Sequence, residues 1–317
     1  MALIEILLAA YMGEKYIGIQ LESIFKQSFK DFTITVSDDG SSDKTIDIVN
    51  SYIRLYPDKI RLIRRVLPTK SAGENFFELL AAAKKNIKGD NEKRYFMLSD
   101  QDDVWHPDKI KKTYLRMQAL EKKYSRDMPC LVHTNLSLVD EKLNIIHFDM
   151  ARYMGFKSGN TSLNRLLVEN NITGNTVMLN AAFLNNYKRP GIKKYVMHDW
   201  WLALSAACIG KISYLDEALI LYRQHSKNTL GARNALSFEV LKKRIGNKTA
   251  VQENYRLMYA QAEELLKKYN PDASKKRLLK EFTGMQKKNR AYKIAAILKN
   301  RFCKSGFITT VGEMFNI

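Results

Sequence analysis

The first hundred residues alternate short apolar runs with longer segments in which apolar residues recur every three or four positions. Runs of about four to eight apolar and β-branched residues predict buried strands, and the longer spacing predicts amphipathic helices. Strands are predicted at Leu3–Ala10, Phe32–Ser37, Ile60–Leu67 and Arg94–Leu98, with helices near 16–25, 46–53 and 72–85 between them. This order indicates βαβ units and an α/β fold with a mainly parallel sheet.

The pattern loosens after residue 110, although further elements can be predicted. These are a helix with Pro107 in its first position, strands at Leu131–Val139 and Thr176–Leu179, a helix from His198 to about Ala207, and two short strands near Ile212 and at Leu219–Arg223. Beyond Gly231 the chain is helical and basic and has no strand signal. We therefore expect a domain of residues 1–231 followed by a basic helical C-terminal region of residues 232–317.

Composition places the chain among proteins with a substantial core, since it has 317 residues of which 45% are hydrophobic. No apolar stretch reaches the roughly 20 residues of a membrane-spanning helix, and Glu5 interrupts the N-terminal apolar run, which argues against a secretory signal. Cys130, Cys208 and Cys303 lie far apart and have no CxxC spacing, which argues against a disulfide framework or a zinc site. A cytoplasmic location is expected.

Charge is the unusual feature of the composition. The chain has 52 Lys and Arg residues against 33 Asp and Glu residues, a formal net charge of +19. Residues 232–317 hold 19 basic and 7 acidic residues, so more than half of the excess lies in the last quarter of the chain. Such a balance indicates a polyanionic surface, an anionic substrate, or both.

Carboxylates follow two of the predicted strands, where ligands bind in an open parallel sheet. Asp38 and Asp39 come after the second strand, and Asp100 and Asp102 come after the fourth. Oxygen ligands in this arrangement suit Mg²⁺ or Mn²⁺, although aspartate-rich loops also cap helices and form turns. The chain lacks GxxxxGK[ST], and no GxGxxG follows the first strand, which disfavours a P-loop NTPase and a typical dinucleotide-binding fold.

Four segments in this order resemble family 2 glycosyltransferases of the GT-A fold, and most closely the bacterial rhamnosyltransferase-like enzymes. They are Tyr11 to Tyr16, the turn Ser37-Asp38-Asp39-Gly40-Ser41-Ser42-Asp43, the cluster Asp100-Gln101-Asp102-Asp103 with Trp105 and Pro107, and His198-Asp199-Trp200-Trp201. The resemblance covers about residues 1–231. It implies that residues 1–110 bind a nucleotide sugar and that residues 111–231 supply the acceptor side and the catalytic base. The chain departs from the family at Met12, where Asn is usual, and at Ala9-Ala10, where Pro-x commonly precedes the tyrosine.

The resemblance also implies how a donor would be held. Asp39 would accept the N3 proton of a uracil or thymine ring, Tyr11 would stack on that base, and Asp38 would hold the turn or the nucleoside. The segment 100–102 resembles the family's DxD motif, whose last aspartate contacts the metal that bridges the diphosphate. Asp102 is therefore the predicted ligand of Mn²⁺ or Mg²⁺, and Asp100 is expected in the donor site.

The family transfers a sugar with inversion, so one carboxylate suffices as the base that takes the proton of the acceptor hydroxyl. The resemblance puts this role on Asp199, for which a helix N-cap is the alternative. It also implies that Arg223 meets the charge of the departing diphosphate and that His225 is a second metal ligand. A solitary histidine is otherwise more often structural.

Acceptor contacts are predicted at Asn175, in the polar segment 170–176, and at Trp200 or Trp201. The segment 170–176 could instead be an ordinary turn. Tryptophans beside helices are usually core residues.

The basic C-terminal region, from Leu236 to Phe307, alternates apolar residues such as Leu241 and Ile245 with lysine and arginine in helical rhythm. A basic amphipathic helix is typical of binding to an anionic membrane surface, which suits a lipid-linked acceptor. Packing of the apolar faces against the catalytic domain is as plausible, and formation of a homodimer is a third alternative.

The sequence is therefore interpreted as a metal-dependent inverting glycosyltransferase of bacterial surface polysaccharide synthesis. The donor is a dTDP- or UDP-sugar, with dTDP-L-rhamnose first and UDP-GlcNAc or UDP-galactose as alternatives. A basic nucleic-acid-binding protein is the alternative from another class, but no nucleic-acid motif is present and the carboxylate clusters would repel phosphates. We expect no nucleic-acid partner.

Overall fold

The computed structural model describes residues 3–87, 93–191, 195–225 and 248–306, together with residues 310 and 314. The chain divides into two compact units that alternate along the sequence. Unit 1 is Met1–Met150, Thr173–Tyr187 and Ser213–Gly231, and unit 2 is Ala151–Ile172, Lys188–Ile212 and Ala232–Ile317. The boundary expected after residue 231 lies outside the described residues, as do Leu236, Leu241, Ile245 and Phe307, so it stays a prediction.

The strands form one mixed sheet. They are β1 (Leu3–Ala10), β2 (Phe32–Asp38), β3 (Ile60–Arg64), β4 (Arg94–Ser99), β5 (Val104–Trp105), β6 (Cys130–Val139), β7 (Ile145–His147), β8 (Met178–Asn180) and β9 (Lys211–Arg223). Their order is β3-β2-β1-β4-β8-β6-β9-β5, with β7 paired to β6. The neighbours β3, β2, β1 and β4 are parallel, whereas β8 is antiparallel to β4 and to β6.

The helices complete the α/β fold that the sequence predicts. They are α1 (Ile17–Phe25), α2 (Thr45–Leu55), α3 (Ala72–Lys85), α4 (Lys109–Tyr124), α5 (Met150–Tyr153), α6 (Leu163–Leu166), α7 (Ala181–Asn186), α8 (His198–Ile209), α9 (Lys248–Lys268), α10 (Ala273–Gly284) and α11 (Arg290–Asn300). The bounds predicted for β1 and α3 are confirmed. Ser71 also caps α3, accepting a hydrogen bond from the backbone N–H of Glu74.

Three predictions about single elements are wrong. Pro107 is not the first residue of a helix, since α4 begins at Lys109. The two short strands expected near Ile212 and at Leu219–Arg223 are one strand, β9, which continues through the charged residues Asp216 and Glu217 because neither is buried. Residues 174–176 form a 3₁₀ turn in which the Thr176 hydroxyl donates to the Thr173 carbonyl, so β8 begins only at Met178.

The register of the parallel strands places their carboxyl ends at one edge of the sheet. Ala10 pairs with Asp38 across β1 and β2, and Leu8 pairs with Ser99 across β1 and β4. The loops that follow β1, β2 and β4 therefore begin side by side, with the loop of the central strand between the other two.

A buried charge lies in the central strand β1. Glu5 in β1 is 1% exposed, and its carboxylate forms ion pairs with Arg61 at 2.7 Å and with Arg94 at 2.9 Å. It also accepts a hydrogen bond from the Thr35 hydroxyl at 2.8 Å. Because each carboxylate oxygen has a partner, the desolvation cost of the charge is offset.

Unit 2 is built on helices. Eleven residues of α8 are buried, and α9 packs on α8 and on α10. The apolar faces of α9 and α10 are covered by this packing, with Ala262, Leu265, Leu279 and Phe282 completely buried. Among the described helices, none combines the length and the apolar character needed to cross a membrane.

Candidate active site

The loops after β1, β2 and β4 in unit 1 are tied together by hydrogen bonds. The backbone N–H of Asp39 donates to the carbonyl of Ala10 at 2.9 Å, and that of Met12 donates to the Ser41 hydroxyl at 2.9 Å. The Tyr11 backbone and the Gln101 side-chain amide donate to each other, both at 2.9 Å. Three segments far apart in sequence thus form one connected edge.

Asp38 is the structural centre of the turn after β2. Its carboxylate is 1% exposed and accepts hydrogen bonds from the backbone N–H groups of Gly40 and Ser41 at 3.1 and 2.9 Å, and from the Ser41 hydroxyl. Gly40 has φ = 90°, a conformation that L side chains rarely adopt. Asp38 therefore holds the turn, the first of the two roles considered from the sequence.

Asp39 points toward a different segment. Its carboxylate accepts from the backbone N–H of Thr69 at 2.7 Å, from the Thr69 hydroxyl at 2.9 Å and from the backbone N–H of Lys70 at 2.9 Å. These bonds fix the orientation of the carboxylate, which is 4% exposed. A contact with a pyrimidine ring stays a prediction.

Tyr11 is the first residue after β1, and its side chain is 58% exposed. The Gln101 side chain positions the backbone of Tyr11. A glycine is needed at residue 13 because an added Cβ would lie 2.2 Å from the Gln101 Oε1 atom. The backbone N–H of Gly13 also donates to the Thr45 hydroxyl at 2.8 Å. The tyrosine ring is thus presented on a fixed loop.

Asp102 and His225 are brought together although 123 residues separate them. The Asp102 Oδ2 and His225 Nε2 atoms are 2.8 Å apart. The Tyr16 ring stacks on the imidazole, with ring centroids 5.1 Å apart and planes 20° apart. The two predicted metal ligands are therefore neighbours, and their metal-binding role stays a prediction.

Asp103 connects three segments of unit 1, and no role was predicted for it from the sequence. It is completely buried, and it accepts from the Asn175 side-chain amide at 2.5 Å and from the Arg223 backbone N–H at 3.3 Å. Burial, and then the nearby charges of Asp102 and Asp100, raise the pKa of the Asp103 carboxyl well above its usual range. Through these bonds the turn after β4 is joined to the 174–176 turn and to β9.

Arg223 is buried at 2% exposure, and two of its guanidinium nitrogens donate to the backbone of unit 1. Its Nε atom donates to the Asp102 carbonyl at 2.9 Å and its Nη1 atom to the Glu141 carbonyl at 2.5 Å. The guanidinium lies 4.6 Å from the centre of the Tyr16 ring. Two of its donors thus position the Asp102 and Glu141 backbone, and the predicted contact of Arg223 with the diphosphate stays a prediction.

An exposed cation, Lys15, lies in the same cluster. Its ammonium group pairs with the Glu141 carboxylate at 2.7 Å and lies 5.0 Å from the centre of the Tyr16 ring. The hydrogen bond to Glu141 raises the pKa of Lys15 above its ordinary value. With 64% of its side chain exposed, Lys15 is accessible to an incoming anion.

The predicted base belongs to unit 2. Asp199 lies in the first turn of α8, whose N-cap is Met197, so the alternative that Asp199 is itself the N-cap is wrong. Its Oδ1 atom accepts from the side-chain amide of Asn170 at 3.0 Å and from the backbone N–H of Trp200 at 2.6 Å. Burial lowers the pKa of the neighbouring His198 below its ordinary value, although the Asp199 charge opposes this change.

The predicted acceptor residues are buried. Asn175 is 0% exposed and supports Asp103 in unit 1. Trp200 and Trp201 in unit 2 are 8% and 0% exposed, and their indole N–H groups donate to the carbonyls of Leu166 and Lys188. These contacts favour core roles, and an acceptor contact for any of the three stays a prediction.

Asp100 is half-buried after β4, and its donor contact likewise stays a prediction.

Sequence reasoning missed the supporting residues Lys15, Tyr16, Gln101, Asp103 and Glu141. All but Glu141 lie inside or beside the segments that carry the family resemblance, so their position was the available signal. Glu141 lies in the β6–β7 connection, and nothing in its local pattern indicates that it meets Lys15, 126 residues earlier.

The family model "Glycosyl transferase family 2" matches residues 5–182, more than half of the chain, and the chain belongs to that family. Its relatives include a dTDP-rhamnosyl transferase, RfbG, of Shigella flexneri, which is 29% identical over 246 residues, covering 75% of this chain and 78% of the relative. An uncharacterized glycosyltransferase of Nostoc sp. is 25% identical and covers 77% of this chain and 71% of the relative.

Solved structures show the same fold. Staphylococcus aureus TarS 1-349 has a TM-score of 0.58 at 18% identity, with 90% of this chain and 71% of that chain covered. The mannosyltransferase PcManGT of Pyrobaculum calidifontis, in complex with GDP-Man and Mn²⁺, has a TM-score of 0.53 at 12% identity, with 97% and 77% covered. The predicted GT-A fold, the family and the transferase class are therefore confirmed.

Proposed function

We propose that the protein is a metal-dependent inverting glycosyltransferase that uses a dTDP- or UDP-activated sugar, with dTDP-L-rhamnose as the first choice. The observation that carries this proposal is the connected edge of unit 1. Tyr11, Asp39 and Asp102 lie on three hydrogen-bonded loops at the carboxyl ends of adjacent strands, and His225, which follows β9, lies beside Asp102. This is where a ligand binds in an open α/β sheet. RfbG, named a dTDP-rhamnosyl transferase, supports the choice of sugar.

The base of the donor would be recognised by Asp39 and Tyr11. A carboxylate has about four acceptor positions, of which Asp39 uses three for Thr69 and Lys70. The remaining position on Oδ1 suits the single ring N–H of a uracil or thymine. The exposed Tyr11 ring offers a stacking surface whose orientation Gln101 fixes.

The residues present fit a divalent cation. Asp102 supplies a carboxylate oxygen and His225 an imidazole nitrogen, a donor set that Mn²⁺ accepts and that Mg²⁺ accepts through the oxygen. The described residues contain no group of three or more His, Cys, Asp or Glu that could hold a metal, so the other ligands would come from water and the diphosphate. When bound, the cation would supply charge neutralisation for the leaving diphosphate.

Lys15 is the side chain that we assign to the remaining charge of the diphosphate. Arg223, the choice made from the sequence, is buried and donates to two carbonyls, whereas Lys15 is exposed and is held by a surface carboxylate. A surface ion pair is weak, so its exchange for a phosphate partner costs little.

Asp199 is the proposed base. Its position in the first turn of α8 places a carboxylate where the helix dipole stabilises negative charge. Asn170 orients the carboxylate through Oδ1. An oriented carboxylate can take the proton of an acceptor hydroxyl as that hydroxyl attacks the anomeric carbon, opposite the departing diphosphate.

The acceptor is proposed to be a saccharide, lipid-linked at the cytoplasmic face of the membrane, in the synthesis of a bacterial surface polysaccharide. The positive charge of residues 232–317 supports a contact with an anionic bilayer. The three cysteines are free, as expected in a reducing compartment.

Donor binding tests the first half of the proposal. dTDP-L-rhamnose, UDP-GlcNAc and UDP-galactose are compared by thermal shift with and without Mn²⁺, because a ligand of the folded state raises the melting temperature. We expect a Mn²⁺-dependent shift that Asp102→Ala removes and that Asp127→Ala, an exposed control, retains. A shift that persists without Mn²⁺ or in Asp102→Ala would contradict the metal site.

Transfer tests the second half. Asp199→Asn keeps the size of the side chain but cannot take a proton, so we expect the donor shift to persist while turnover on a membrane extract falls about 10²- to 10⁴-fold. Asp127→Asn serves as the control and should turn over normally. Normal turnover of the Asp199→Asn enzyme would remove Asp199 as the base.

A further inference from the structure

Helices α10 and α11 of unit 2 carry an unusual concentration of positive charge. Residues 273–300 contain nine Lys and Arg residues and a single acidic residue, Glu281. Glu281 already accepts a hydrogen bond from Arg277 at 3.2 Å and lies 4.0 Å from Lys299. The local acid therefore neutralises little of the charge on these helices.

Much of this charge lines one groove of about 440 Å³. The lining residues are Ala273, Lys276, Arg277, Lys280, Glu281, Gly284, Lys288 and Tyr292. At Gly284 an added Cβ would meet nothing within 4 Å, so the groove floor is open there. Four basic side chains against one carboxylate make the groove complementary to anionic groups.

The outer face of α11 next to this groove is apolar and exposed. Ala291, Ala295 and Leu298 recur at helical spacing on the exposed side, and Leu298 is 61% exposed. Tyr292 is 47% exposed and lies under the Lys288 ammonium, 5.5 Å from its ring centre. The opposite face of the helix, with Ala296 and Ile297, is buried. The helix is therefore apolar on two faces, and only one of them is covered within the described part of unit 2.

We propose that the basic groove and the outer face of α11 form one docking surface for an anionic lipid bilayer. Cations beside exposed aliphatic side chains match the headgroups and the hydrocarbon boundary of such a surface, and a tyrosine suits the interface between them. The other described helix of the basic region, α9, has its apolar face covered by α8 and α10, so the contact is assigned to α10 and α11. This inference specifies which helices make the membrane contact of the proposed function, and it rests on that function.

The experiment measures co-sedimentation of the full chain with vesicles. We expect binding to mixed phosphatidylglycerol and phosphatidylcholine vesicles that weakens with salt, and little binding to pure phosphatidylcholine. Reversal of charge at Lys276, Lys280 and Lys288 to Glu should weaken binding at least about tenfold. Reversal at the exposed Lys85, Lys111 and Lys122 of unit 1 makes the same change in net charge and should retain most of the binding.

A matched pair of substitutions tests the contribution of exposed apolar side chains to vesicle binding. Leu298→Gln should weaken vesicle binding about threefold, whereas Leu115→Gln, at a leucine 53% exposed on α4, should leave it unchanged. Equal loss in both lysine triples, binding to neutral vesicles as strong as to anionic ones, tighter binding of the groove to duplex DNA, or loss of a dimer in Leu298→Gln would each overturn the proposal. The Mn²⁺-dependent donor shift of every variant is measured in parallel, so that failure of the donor site is distinguished from failure of this surface.

Discussion

The turns after β2 and β4 both present aspartates at the same sheet edge, but they are held in different ways. In residues 38–43 the Asp38 carboxylate accepts from backbone and hydroxyl groups two and three residues away. In residues 100–103 the Asp103 carboxylate accepts from Asn175, 72 residues away, and from Arg223, 120 residues away. The contacts of the Asp38 carboxylate are therefore local, whereas those of the Asp103 carboxylate join segments that are far apart in the sequence.

This difference concerns function, because the second turn carries the proposed metal ligand. His225 follows Arg223 by two residues on the chain, and Arg223 is bound to the turn through Asp103 and the Asp102 carbonyl. The 2.8 Å approach of His225 to Asp102 therefore depends on a junction that the buried Asp103 completes. We expect the two turns to respond differently to loss of their central carboxylate.

The largest effect is expected for Asp103→Ala. The change leaves the Asn175 amide and the Arg223 backbone N–H without an acceptor in the interior, which costs about 3 kcal/mol of the free energy of unfolding. Urea denaturation measures this loss, and thermal shift with UDP or dTDP and Mn²⁺ should show weaker metal-dependent binding. Asp127→Ala, at an exposed aspartate, is the control. Unchanged stability and unchanged nucleotide binding would mean that the junction holds without Asp103.

Asp38→Ala tests the local turn and should have a smaller effect, about 2 kcal/mol, because three hydrogen bonds to one carboxylate are lost but every donor lies near solvent. Since the second turn does not depend on it, Mn²⁺ binding without nucleotide should be retained. Calorimetric titration of Mn²⁺ into this variant and into Asp103→Ala separates the two turns. Equal loss of Mn²⁺ affinity in both would contradict the contrast between them.

Gly13→Ala tests the link that joins the first loop to the second turn. The new Cβ would lie 2.2 Å from the Gln101 Oε1 atom, so Gln101 must release the Tyr11 backbone. We expect a cost of about 1–2 kcal/mol and weaker nucleotide binding. Gly18→Ala is the matched control, because its Cβ would make only an ordinary 3.7 Å contact with Ile48 and alanine favours a helix. Equal destabilisation by both substitutions would show that the approach of Gln101 is not the cause.

The same contrast explains how much of the molecule could be predicted from its sequence. The bounds of β1 and α3 follow from apolar spacing within a few residues, and the turn-holding role of Asp38 is one of the two that the family resemblance implies. Asp103, by contrast, has donors on segments 72 and 120 residues away, and no local pattern indicates them. Likewise, no local pattern indicates that two guanidinium nitrogens of Arg223 donate to the carbonyls of Asp102 and Glu141, 121 and 82 residues away.

Lys109, the first residue of the helix that follows the second turn, shows the same limit, and its burial makes the stability of the protein depend on pH. Its side chain is completely buried, and its ammonium group lies 3.8 Å from the centre of the Trp105 ring without a hydrogen-bond partner among the described residues. Burial lowers the pKa of Lys109 to about 7 from its ordinary 10.5, although the charge of Asp103 opposes the change. Between pH 7 and 10.5 the unfolded chain therefore binds more protons at this residue than the folded chain does. Stability should rise with pH across that window.

From pH 7 to pH 8 the contribution of Lys109 is about 1 kcal/mol, the smallest of the expected effects. Urea denaturation at both values should show this increase in the wild type and in Lys111→Met, where the lysine is exposed. In Lys109→Met the increase should be smaller by that amount, because methionine has no proton to lose. If the wild type and Lys109→Met have the same slope against pH, the buried ammonium does not lose its proton in the folded state. In that case the charge of Asp103 would stabilise the Lys109 ammonium group more than burial destabilises it.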